Sequence, residues 1–242
     1  MNNATIRQQY PLETLKEMVR KADNGTPQDF SYQYMRELEL DYDTNEKRSD
    51  LSGCNLGFAN LSNMELGGVM FSQCNLRGAN LSGSSLRSGY LDNANLTDAN
   101  LENCVLVDQF IDLTNFTNAN LSGANLDDSH IGSDCTWDGV NLSGAYYGCD
   151  KKTGVKIMME RPPLIVDDIY SITNHSETYL EFNIYVFDAY IRIGCQTHSY
   201  KDWLTFDQKK IEDLGGNRAK RMFQNCRDFV IELAERHGCS KD

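Results

Sequence analysis

The chain has 242 residues, 40% of them hydrophobic, enough for one large domain or two modest ones with a real core. No apolar run reaches the roughly 18 residues a membrane span needs, and Met1–Tyr10 has neither a basic start nor an apolar stretch, so neither an anchor nor a secretion signal is expected. The net charge of −12 is uneven: residues 51–150 carry 11 acids against the two bases Arg77 and Arg87, while residues 151–242 carry 14 of each, so the middle of the chain repels phosphate and suits a basic partner.

In chain order, residues 10–22 read as a short amphipathic helix with Leu12, Leu15 and Met18 on one face. Phe30, Met35 and Leu40 are five apart and predict an irregular turn of whatever follows, with 46–50 as a polar break. From Leu51 a large apolar residue then recurs at every fifth position, seventeen times in register, as far as Ile131. One residue is inserted, and the series resumes at Trp137, Leu142 and Tyr147. Two residues before each stands a mostly small side chain, such as Ala79, Ala99 or one of Cys54, Cys74, Cys104 and Cys135. At such a site buried free thiols are the simplest reading, and they fit a reducing cytosol.

A step of five matches neither the helix at 3.6 residues nor the strand at 2, but it does match a coil with four sides and a corner after each. Twenty residues then complete a turn, with large and small residues inside and three of every five outside. Blocks such as Ala-Asn-Leu-Ser-Gly at 79–83 and 119–123 resemble the pentapeptide-repeat family. That resemblance covers about 100 residues and implies a mainly β fold, a right-handed quadrilateral β-helix over 51–149. Residues 1–50 are then an N-terminal helix and capping segment, because a solenoid end exposes its core. A small α+β module is expected over 161–242: strands at Pro163–Ile169, Thr178–Val186 and Ala189–Cys195, short helices at Ser199–Leu204 and Lys210–Leu214, and a longer helix at Asn217–His237. This module resembles the tail that follows pentapeptide repeats in some bacterial and phage proteins, a resemblance that implies no activity.

The twenty-residue turn turns exposed positions into columns. Asn55, Asn75, Asn95 and Asn115 form one, and Asn60, Asn80, Asn100 and Asn120 another; Asn ladders of this kind are explained by structure alone. On the first side the same column is Met70, Tyr90, Phe110 and His130. Beside it Asp92 lies one turn from Asp112, and Asp108 lies one turn from Asp128, each pair setting like charges about 5 Å apart at some cost. Gln109 takes an inward site where it needs a partner. These eight residues, Met70, Tyr90, Phe110, His130, Asp92, Asp108, Asp112 and Asp128, are the candidate partner-binding surface, unless the C-terminal module folds over it.

No phosphate-binding loop, nucleophile elbow or metal-ligand cluster stands in the repeats. Cys195 and His198 are the nearest thing to a catalytic pair, and Cys226, His237 and Cys239 lack paired metal-site spacing; His130 and His175 have no evident partner in sequence. No catalytic residue, metal or cofactor is therefore expected. Some pentapeptide-repeat proteins occupy the DNA-binding saddle of type II topoisomerases, and the resemblance implies a cytoplasmic, non-enzymatic inhibitor or decoy. This would be an acidic rod imitating DNA and acting on a basic or DNA-binding protein such as a topoisomerase or a defence nuclease. It would bind neither nucleic acid nor membrane, and self-association is left open. The alternative is a scaffold or adaptor that works through the aromatic stripe.

Overall fold

The computed structural model describes residues 9–35, 38, 40, 49–149, 156–166, 184–187, 189–193, 196–207, 209–211, 213, 227–228 and 230–239. They fall into two compact units, residues 1–147 and 148–242. No described helix is long and apolar enough to cross a membrane.

The first unit is a β-helix. Parallel bridges join residues twenty apart, four to a turn: Asn55↔Asn75, Asn60↔Asn80, Glu65↔Ser85 and Met70↔Tyr90, and so onward. The inserted residue after Ile131 lengthens the last turn by one, giving Asn115↔Thr136 and Asn120↔Asn141. Each large residue of the five-residue step, from Leu51 through Leu126, is buried. The small inward sites hold mostly alanine, cysteine, serine or threonine, and where the residue carries a short donor it reaches a carbonyl one turn back. Cys74 Sγ donates to Leu51 O at 2.8 Å, and Thr114 Oγ1 to Leu91 O at 2.7 Å. All four repeat cysteines are free. Burial pushes the Cys104 thiol up to about 12, so it stays protonated and donates. Cys135, in the lengthened turn, is only half-buried, against expectation.

From Gly53 to Asp128 each corner is turned by one residue in the left-handed region, glycine at Gly53, Gly83 and Gly123 and often asparagine or aspartate elsewhere, the residue types that tolerate it best. The bridging asparagines prepare that corner. Asn95 Oδ1 accepts the Thr97 N–H at 3.1 Å, an arrangement repeated at Asn60, Asn75 and Asn120. Their amides also bond along the columns, Asn75 to Asn55 at 2.9 Å and Asn120 to Asn100 at 3.1 Å.

Before the regular turns, Leu12–Asp23 is helical. Its buried face is Leu15, Val19 and Ala22, whereas Leu12 and Met18 are half-buried; the i, i+4, i+7 set wins over the one read from sequence. The irregular turn exists: Phe30, Met35 and Leu40 are buried, and Asp29↔Asn55 and Tyr34↔Asn60 bridge over 26 residues rather than twenty.

In the second unit Leu164–Val166, Ile184–Val186, Tyr190–Ile193 and Gln196–Ser199 form an antiparallel sheet in chain order. The fourth strand was not expected. Ser199 ends it and caps the helix Tyr200–Thr205, its Oγ accepting the Asp202 N–H at 3.1 Å. The core gathers Ile184, Val186, Ile191, Trp203, Val230 and Ala234. Helical residues occur at 227–228 and 230–236, and His237 falls in a turn; residues 217–226 and 229 of the expected helix, the strand segments 167–169, 178–183 and 194–195, and residues 212 and 214 lie outside the described residues.

Candidate protein-interaction face

The first side of the coil carries Met70, Tyr90, Phe110 and His130 in one bridged column: Met70↔Tyr90, Tyr90↔Phe110, and Phe110↔His130 within the paired strands Phe110–Ile111 and His130–Ile131. Inter-strand spacing brings rings on neighbouring turns into stacking distance. The Tyr90 and Phe110 centroids are 5.0 Å apart with planes 9° apart; Phe110 and His130 are at 4.8 Å and 16°. Phe110 remains 40% exposed, and His130 is exposed. Near-parallel ring pairs of this kind contribute about 1 kcal/mol each beyond the area they bury.

A ring in the asparagine position removes the acceptor that prepares the corner. The backbone finds another. The Asp112 N–H donates to Asp92 Oδ1, one turn back, at 3.1 Å, and Asp112 Oδ1 in turn accepts the Leu113 N–H at 3.0 Å. Asp92 and Asp112 are thus acceptors for the corner as well as neighbours of like charge. Burial pushes the Asp92 carboxyl above its usual range, the Asp112 N–H draws it back, and the Asp112 charge raises it again. Gly132, the next residue in that column, leaves the room: a Cβ there would lie 1.9 Å from Asp112 Oδ1. At the other corner Asp108 and Asp128 are exposed and left-handed, and Asp108 Oδ2 accepts the Ser88 hydroxyl at 3.0 Å.

Beneath the rings, Gln109 is fully buried. Its Oε1 accepts the Gly89 N–H at 2.8 Å, while Nε2 meets no hydrogen-bond partner. Gly89 yields the space, since a Cβ there would stand 3.2 Å from both amide atoms of Gln109 and 2.7 Å from Val69 O.

Two features escaped the sequence reading. Leu113 is 49% exposed with φ +52°, at a corner where polar residues or glycine are usual. Phe58, also left-handed and exposed, stacks on Tyr32 at 4.9 Å and covers Gly78, whose Cβ would lie 2.4 Å from the ring. The signal for both was a bulky residue in the glycine/asparagine place of the repeat.

Elsewhere, the His198 ring packs edge-on against Trp203 and Phe206 at 5.4 and 5.0 Å, and Cys239 Sγ donates to Phe187 O at 3.1 Å. Cys195, Cys226 and His175 lie outside the described residues. Among the described residues no group of His, Cys, Asp or Glu could hold a metal ion.

A family model described as pentapeptide repeats, in eight copies, matches residues 49–87 and 90–131. A comparison with curated proteins finds no match. Among solved structures the chain is similar to HetL, a pentapeptide repeat protein involved in heterocyst differentiation regulation from the cyanobacterium Nostoc sp. strain PCC 7120. That match has 21% identity over 53% of this chain and a TM-score of 0.32, and the chain spans only 61% of the length of HetL. It is similar to the pentapeptide repeat protein Rfr23 from the cyanobacterium Cyanothece 51142, with 30% identity over 49% of this chain and 76% of that one and a TM-score of 0.26. A trypsin-treated form of QnrB1, a plasmid-mediated fluoroquinolone resistance protein, matches at 24% identity over 54% of this chain and 75% of that one, with a TM-score of 0.27. Residues 148–242 fall outside the family match, but over residues 49–87 and 90–131 the chain is built of pentapeptide repeats.

Proposed function

We propose that this chain is a non-enzymatic binding protein whose acidic coil presents the Tyr90–Phe110–His130 face to a basic, nucleic-acid-handling protein and competes with nucleic acid for it. The coil is taken to run right-handed with four sides, residues 1–50 to cap it, and residues 161–242 to form a separate module. The observation that carries the reading is the outward stack of three rings in a column where the neighbouring sides place asparagine. Rings supply contact area at little entropic cost, and the exposed carboxylates of Asp108, Asp112 and Asp128 supply steering. The surplus of nine acids over residues 51–150 supplies the field.

A second reading is favoured by one observation. Asp92 and Asp112 spend a carboxylate oxygen on backbone N–H groups, which moves weight from charge to rings and suits a scaffold or adaptor. One experiment separates the two. The full chain is immobilised, extract of the source cells is passed over it, and retained protein is eluted with salt or with duplex DNA. A decoy loses its partner to both eluents, and to the double variant Tyr90→Ser/Phe110→Ser. A scaffold loses it to the double variant only. Retention by that variant sinks both readings.

A further inference from the structure

The corner after Phe110 is built unlike its neighbours. From Asn63 to Asp128 every fifth residue is left-handed, and each is glycine, asparagine, aspartate, serine or glutamine except Leu113. A bulky aliphatic side chain is disfavoured in that conformation. At ordinary corners the left-handed N–H donates to a carbonyl of the next turn, as Asn93 does to Asp112 O at 2.8 Å and Asn118 to Asp138 O at 2.7 Å. Leu113 gives its N–H to the Asp112 carboxylate instead; Asp112 is held by Asp92, and Gly132 clears the space for it. Three residues thus support a conformation whose outcome is a half-exposed isobutyl group, three positions along from the exposed ring of Phe110. Strain maintained by its surroundings on an exposed face points to recognition rather than to folding.

We propose that Leu113 is the anchor of the interaction face, received by a protein partner in an apolar pocket rimmed with cationic groups. The charge of the rim follows from Asp108, Asp112 and Asp128, all exposed around the apolar pair Phe110 and Leu113. The inference rests on the ring-face reading above and adds the residue that enters the partner.

The test uses the full chain with Leu113→Asn, Leu113→Met and Phe110→Ser, thermal unfolding, and the retention assay with duplex DNA as the eluting probe. Leu113→Asn relieves the corner and raises Tm by about 2–4 °C. It lowers the DNA-eluted fraction about tenfold or more, as loss of an anchor should. Leu113→Met keeps an apolar side chain and retains that fraction. If Leu113→Asn retains as wild type does while Phe110→Ser does not, the anchor falls and the ring face stands. If Leu113→Asn lowers Tm, Leu113 is packed beneath another part of the chain or a second copy, and the proposal is overturned. If wild type retains nothing that DNA elutes, the parent reading and the anchor fall together.

Discussion

On the second and third sides of the coil an asparagine column answers two demands with one residue: the side chain accepts the corner N–H and bonds to the asparagine of the next turn. On the first side those tasks are divided. Rings stack between turns, Asp92 and Asp112 take the N–H groups, and Gly89 and Gly132 make the room. A coil whose sides share the same twenty-residue bridge register therefore need not have interchangeable sides. The asparagine sides are optimised for continuity, whereas the ring side accepts a buried unpartnered amide nitrogen at Gln109, a raised carboxyl at Asp92 and a left-handed leucine. Local rules broken together on one surface are the expected mark of a site that does something besides fold.

The largest effect is expected from putting the small residue of the other sides under the rings. Ala94 and Ala99 fill the inward site on the second and third sides, but in Gly89→Ala the new methyl meets Val69 O, and we expect a loss of about 2 kcal/mol in urea unfolding. A neutral result would mean that the first side is packed like the rest. Next, Asn95→Ala removes the acceptor for Thr97 N–H and should cost about 1 kcal/mol, with the same denaturation measurement as the check. Exchanging the rings for the residue of the neighbouring columns, Tyr90→Asn with Phe110→Asn, loses stacking but regains corner acceptors. Its stability should stay within about 1 kcal/mol of wild type while partner retention collapses. Equal losses of both would make the rings mere structure.

The smallest effect concerns Asp92. Its folded carboxyl is raised, so the ionised form is disfavoured by the fold. The resulting deficit is present above the folded pKa and disappears as pH falls from there to the ordinary carboxylate value. Asp92→Asn keeps an acceptor for Asp112 N–H, and it should be slightly more stable than wild type at neutral pH, with the gap closing in acid. A gap that widened as pH fell would reverse the sign and refute the assignment.

Much of this was legible in the residues. A step of five from Leu51 to Ile131, and the slip of one before Trp137, give the turn length and its lengthening directly. The ring column follows by counting in twenties. The corner at Leu113 did not follow, because its meaning depends on which of the three outward positions is left-handed, and residue types alone blur that position. Spacing alone gives the Asp92–Asp112 pair only as like charges one turn apart; that each carboxylate also accepts a backbone N–H shows only in the coordinates. Gln196–Ser199 gives no strand signal because it is short and polar, and a serine that ends a strand carries the same signature as one that starts a helix.

Tyr90, Phe110 and His130 project outward and stack, one per turn. Through-space proton contacts among these three rings, measured by NMR on the full chain, test it directly. Strong Tyr90–Phe110 and Phe110–His130 cross-peaks are expected, matching centroids 5.0 and 4.8 Å apart, with few from Phe110 to the interior side chains Leu91 and Leu106. Missing ring-to-ring contacts, or a Phe110 ring that reports chiefly on Leu91 and Leu106, would contradict it.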